Sequence, residues 1–154
     1  MSDEALVICG FPGIGKSHLA KKEGFMDSDS SDWHWSAPGV PHPDWPYNYV
    51  KHIQLGLYIN KVILVSTHTD VRNALKEMGV EYWLCYPARF LRDEYMLRFA
   101  KRKDTPEFIQ QMEDNWMKRI DELEAEDDGD RSRKIVLFSE EHLSDVMHLF
   151  GDEE

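Results

Sequence analysis

Residues 10–17, Gly-Phe-Pro-Gly-Ile-Gly-Lys-Ser, set the narrowest limit on what this chain can fold into. An apolar run, residues 5–9 (ALVIC), precedes them, and a helix-forming stretch to about Glu23 follows, closed by Gly24. The pattern G-x-x-x-x-G-K-[ST] between a strand and a helix makes a loop suited to phosphate. Its glycines let the backbone turn tightly and aim N–H groups at phosphate oxygens. The helix adds its positive N-terminal end. Lys16 is expected to reach the β- and γ-phosphates, and Ser17 to place its hydroxyl on Mg²⁺. Gly10, Gly13, Ile14, Gly15, Lys16, Ser17 and His18 are therefore the expected nucleotide contacts, with ATP and Mg²⁺ as the ligands.

The rest of the chain alternates strand and helix signals. Phe25-Met26-Asp27 suggests a short second strand, 61–67 (KVILVST) the clearest one, 81–86 (EYWLCY) the next with Pro87 ending it, and 134–138 (KIVLF) the last. Helices are expected over about 16–23, 48–60, 70–78, 91–102, 106–125 and 140–150. Val50, Ile53 and Leu57 share one face, as do Val71, Ala74, Leu75 and Met78. In 106–125, Phe108, Ile109, Met112, Trp116, Ile120 and Leu123 recur at helical spacing behind a Thr105-Pro106 start. This order implies an α/β fold, a three-layer sandwich with a five-stranded parallel sheet and helices on both faces. The 154 residues fit one domain. Ligands on such a sheet bind beyond the carboxyl ends of its strands.

Three further segments should meet at that edge. Residues 27–32 (DSDSSD) offer Asp27 and Asp29, either of which can orient a hydroxyl and accept its proton. Asp27 comes directly off a strand and is preferred; it is also a candidate Mg²⁺ ligand beside Ser17. Residues 31–49 hold four prolines, which exclude a regular element, and three tryptophans, which exclude a disordered linker. Trp33 and Trp35 can stack on a base; equally, the aromatic side chains can close over the core. Arg98 and Arg102 share a helix face and can stabilise charge on a phosphoryl group in flight.

These residues together resemble the P-loop kinases, in particular small nucleotide and polynucleotide kinase-like ATP-binding proteins of the phage and prophage type. The resemblance implies a carboxylate after the second strand, here Asp27 and Asp29. It implies substrate contacts from Arg72, which follows Ser66-Thr67-His68, and from Arg92. It also implies a lid-like segment over ATP at about 91–125, and an acceptor site in the aromatic loop at about 31–49. One departure stands out: many relatives end the third strand with an Asp that holds Mg²⁺ through water, where this chain has Ser66. The expected activity is transfer of the γ-phosphate to a nucleoside, nucleotide or related small molecule. Alternatives are a kinase of a polynucleotide end or modified DNA base, and an NTP-binding regulator with little turnover.

Charge and composition narrow the partners. The net charge is −11, with acidic residues gathered in 121–130. Such a surface repels nucleic-acid backbone, which argues against a long DNA track. No apolar run approaches the roughly 18 residues of a membrane span, and the N-terminus lacks the features of a signal peptide. A cytoplasmic location is expected. Cys9 and Cys85 lie in strand-like runs without metal-ligand spacing and read as buried thiols.

Overall fold

The computed structural model describes residues 5–28, 35–59, 61–126 and 133–150. Five strands, β1 (Leu6–Gly10), β2 (Met26–Asp27), β5 (Val62–Val65), β6 (Trp83–Pro87) and β7 (Lys134–Leu137), form one sheet in the order β2-β5-β1-β6-β7. Every pairing is parallel, with Leu6 to Cys9 opposite Val62 to Val65 and Leu84 to Pro87 opposite Lys134 to Leu137. Val7, Ile8, Cys9, Ile63, Leu64 and Val65 are buried, which is why the central strands read as unbroken apolar runs.

Helices α1 (Lys16–Glu23), α2 (Tyr47–Tyr58), α3 (Thr69–Glu77), α4 (Arg92–Lys101), α5 (Pro106–Asp114), α6 (Trp116–Ala125) and α7 (Leu143–Val146) flank the sheet. The right-handed crossover rule separates them. The chain moves one way from β1 to β2 and the other way from β2 through β7, so α1 lies on one face and α2, α3 and α6 on the other. The contacts agree: α1 packs with α7, α2 with α3, and α6 against β6.

Both cysteines are free and buried. Burial pushes the Cys85 thiol up to about 12 and the Cys9 thiol higher still, so neither forms a thiolate near neutral pH.

The structure corrects three local expectations. Residues 106–125 are two helices rather than one. Asn115 ends α5 and begins α6, and its side-chain amide donates to Gln111 O at 2.9 Å, competing with the helix ladder. The break turns the buried Trp116 onto Phe11 and Tyr95, at ring distances of 5.3 and 5.6 Å. The proline-rich segment is not wholly irregular: β3 (Trp35–Ala37) and β4 (Val40–Pro41) pair as a small antiparallel hairpin. Its prolines sit where a ladder tolerates them, Pro38 in the turn beside Gly39 (φ 75°) and Pro41 at the strand end. Finally, Pro87 closes β6 from inside the strand rather than stopping it beforehand.

Candidate functional site

The Gly10–Ser17 loop occupies the turning point of the sheet. The connections leaving the adjacent strands β1 and β6 run in opposite directions, which opens a crevice at their carboxyl ends. Phe11 N–H donates to Cys85 O at 2.9 Å and carries the ladder one residue past β1. Ile14 is buried and anchors the loop tip, while its carbonyl accepts from Leu143 N–H at 2.8 Å. Gly13 and Gly15 hold φ values of 87° and 96°. At Gly10 the limit is space instead: a Cβ there would lie 2.7 Å from Ile14 Cδ1 and 2.9 Å from Lys16 Cδ.

Helix α1 starts at Lys16 without an acidic residue in its first turn and without a side-chain cap on its N-terminus. Its positive end is therefore left uncompensated. Lys16 folds back across the loop, donating through Nζ to Gly10 O at 2.7 Å and toward Phe11 O at 3.3 Å. Burial, reinforced by the Arg102 charge and opposed by Asp27, lowers its pKa from 10.5 to about 8. An arriving polyanion could draw this ammonium off the carbonyls. Ser17 and His18 follow, both exposed.

Above the loop lies a cleft of about 550 Å³ lined by Gly13, Gly15, His18, Arg98, Lys101, Arg102, His142 and Ser144. No carboxylate is among these lining residues, although the chain as a whole is acidic. Sequence reasoning reached five of the eight. Lys101, exposed at the end of α4, joins Arg102 there. His142 and Ser144 were missed, although the segment after the last strand necessarily starts at this same edge of the sheet.

Arg98 and Arg102 differ in what their guanidinium groups do. Arg98 donates to Gly13 O at 2.9 Å, to Glu141 O at 2.8 Å and to Glu94 at 3.0 Å, and lies over the Tyr95 ring at 4.3 Å. Arg98 thus ties α4 to the loop. Arg102 is half-exposed, pairs with Asp104 at 2.5 Å and sits 5.2 Å over the Phe99 ring. It can swing toward a ligand by giving up one surface ion pair.

The other expected site residues lie apart from this cleft. Asp27 is exposed at the carboxyl end of β2, two strands from β1, near enough for its charge to act on Lys16. The next residue is held firmly: buried Ser28 has its carbonyl bonded by Tyr49 Oη at 2.5 Å and its hydroxyl 3.1 Å from His52 Nε2. Asp29 and Trp33 lie outside the described residues, and of Trp35 only the backbone in β3 is described. Tyr49 is fully buried and Trp45 stacks on it at 5.8 Å, so this part of the aromatic segment covers the core. Arg92 is exposed at the start of α4 and faces its neighbour Asp93 at 3.6 Å. Arg72 is buried: it bonds Thr67 O at 3.0 Å and Thr69 Oγ1 at 3.3 Å and forms an ion pair with Glu126, which also accepts from Tyr82 Oη.

A cation at this edge could draw on Ser17 and Asp27. Among the described residues no three His, Cys, Asp or Glu side chains converge in a way that could hold a metal ion. Ser66, beyond β5, lies 3.5 Å from His68 N–H, a long contact. Among the described residues no helix is long and apolar enough to cross a membrane.

No protein-family description and no curated protein matches the chain. Among solved structures it is similar to an uncharacterized protein from Eubacterium ventriosum, at 13% identity and a TM-score of 0.45 over 96% of each chain.

Proposed function

We propose that this chain is an ATP-dependent phosphotransferase of the P-loop kinase type. It moves the γ-phosphate of ATP, with Mg²⁺, to a nucleoside, nucleotide or related small molecule. The observation that carries this reading is the Gly10–Ser17 loop. It has the required residue pattern, stands at the crevice between β1 and β6, and opens under a cleft walled by basic side chains.

In this reading the triphosphate lies along the loop and the start of α1, and Lys16 leaves Gly10 O and Phe11 O for the β- and γ-phosphates. Ser17 and Asp27 would hold Mg²⁺, which would neutralise charge on the phosphates. The nucleoside part of ATP fills the cleft between Arg102 and Lys101 on one side and His142 and Ser144 on the other. An acceptor oxygen forms the new bond to the γ-phosphorus as the bond to the β,γ-bridging oxygen breaks and ADP leaves. Where the acceptor is a hydroxyl, Asp27 takes its proton. A cytoplasmic location follows from ATP as donor.

The test is ATP-dependent thermal stabilisation. Mg-ATP should raise the melting temperature of the wild type, and Lys16→Ala should remove that shift. An equal shift in both proteins would refute the loop's role. A second reading, an NTP-binding regulator with little turnover, draws on Ser66 in place of a carboxylate and on Arg98 being spent on the fold. Labelled γ-phosphate appearing on no acceptor, despite tight ATP binding, would favour it.

A further inference from the structure

Strand β2 gives Asp27 little support of its own. It stands at the edge of the sheet and pairs only Met26 and Asp27 with β5, and so few ladder bonds hold a segment weakly. The fold supplies the rest at Ser28. Its N–H donates to Leu64 O at 3.0 Å, its carbonyl accepts from Tyr49 Oη at 2.5 Å, and its hydroxyl lies 3.1 Å from His52 Nε2. Each polar group of this buried residue is thus engaged, two of them by α2. Tyr49 and His52 are three residues apart on that helix and share a face. Gly56, one turn on, lets the same face lie close: a Cβ there would be 2.5 Å from Ile63 Cδ1 and 2.7 Å from Met26 Sδ.

The two α2 contacts differ in kind. Tyr49 is fully buried and stacks on Trp45, so it belongs to the core. His52 is half-buried, and burial lowers its pKa, which leaves the ring neutral near pH 7. It is not among the residues lining the cleft, so its ring meets Ser28 rather than a ligand there. We propose that His52 is a positioning residue, which through the Ser28 hydroxyl fixes the end of β2 and so the place of the Asp27 carboxylate relative to Lys16. The inference rests on the phosphotransferase reading, in which Asp27 serves Mg²⁺ or the acceptor. The tether also has a signature that needs no turnover: the Asp27 charge raises the Lys16 pKa, against burial and Arg102.

Titration of Lys16 by NMR of the lysine side chains, assigned with Lys16→Arg, tests the tether. Asp27→Asn should lower the Lys16 pKa below about 8, and His52→Ala and Ser28→Ala should each lower it part of the way. His52→Ala added to Asp27→Asn should lower it no further, because the charge that the tether places is gone. In transfer of labelled γ-phosphate from ATP to a mixture of deoxynucleosides and their 5′-monophosphates, His52→Ala should lower kcat by about tenfold to a hundredfold with the KM for ATP unchanged. His52→Gln, whose amide can reach the same hydroxyl, should restore most of both. An unchanged Lys16 pKa in His52→Ala, or the same drop with and without the Asp27 carboxylate, overturns the positioning role. So does a wild-type kcat in His52→Ala. Label on no acceptor in the wild type overturns the phosphotransferase reading instead, and the Lys16 titration then decides the tether. Should His52→Ala fail to fold, Ser28→Ala removes the same hydrogen bond from its other end and carries the test.

Discussion

Replacing Gly13 by alanine isolates how closely α4 clasps the loop. The residue has φ 87°, and an added Cβ would lie 2.9 Å from Phe99 Cε1 and 3.3 Å from Tyr95 Cδ2. Neither ring can yield easily. Phe99 is fully buried, edge-on to Phe108 at 5.3 Å, and Tyr95 is wedged between Trp116 at 5.6 Å and the Arg98 guanidinium at 4.3 Å. The left-handed backbone alone costs an alanine about 1 kcal/mol, and forcing a methyl into packed surroundings adds about 1–3 kcal/mol. Gly24→Ala supplies the control, because Gly24 has φ 75° and nothing within 4 Å of its would-be Cβ. Urea denaturation should show about 1 kcal/mol lost for Gly24→Ala and about 2–4 kcal/mol for Gly13→Ala. The corresponding melting shifts are roughly 3 and 9 °C for a domain of this size. Equal destabilisation of the two variants would refute the close approach of Phe99 and Tyr95 to the loop.

Two other outcomes follow from buried charge. Lys16 has a folded pKa of about 8, below its usual 10.5, so the unfolded chain binds more protons between those values and stability should rise as pH increases through that window. On the proposed function, triphosphate binding uses the ammonium and should do the opposite. Affinity should fall as pH rises above about 8, with proton uptake visible as a buffer-dependent calorimetric enthalpy; a flat profile to pH 9.5 would exclude a protonated Lys16 as the contact. Glu126→Gln strips the counter-charge from buried Arg72 and should cost about 3–5 kcal/mol by urea denaturation. The joint replacement Arg72→Met with Glu126→Leu should cost much less, and equal losses would show that the pair's charge is immaterial.

What was legible in the sequence followed from local rules. The strands at 61–67 and 134–138 read correctly in kind because apolar runs end at polar or glycine-rich turns. The Thr105-Pro106 start holds as well, with Thr105 Oγ1 accepting from Phe108 N–H at 3.1 Å. The break at Asn115 was hidden because the apolar spacing of 108–123 continues across it while the helix axis does not. Arg72 could be placed on a helix, but its partner Glu126, just past the end of α6, is 54 positions away, and only the tertiary fold brings them together. The same limit hid His142 and Ser144. They come from the far end of the chain and reach the cleft because α7 folds back onto α1.

The way the loop is held also changes which part of this edge can move. Carbonyl oxygens of the loop are bonded by two distant groups, Leu143 N–H on Ile14 and Arg98 on Gly13, while Phe11 N–H is bound to β6. Arg98 also bonds Glu141 O, and Glu94 on the same helix accepts from Ser139 Oγ and Glu140 N–H, so lifting α4 would break charge-assisted bonds of about 1.5–3 kcal/mol each. It would also expose Tyr95 and Phe99, and beyond α4 the buried Met112, Trp116, Ile120 and Leu123 belong to the same core. A segment so tied acts as the wall of the site, not as a door. On the proposed function, motion that admits a nucleotide is then confined to the end of α4, where Lys101 and Arg102 are exposed and Lys103 takes a φ of 64°. Arg98 shapes the loop before any ligand arrives, and the responsive charges are Lys16 in the loop and Arg102 in the cleft; burial and then repulsion from Arg102 already lower the Lys16 pKa, and a bound polyanion would relieve that repulsion.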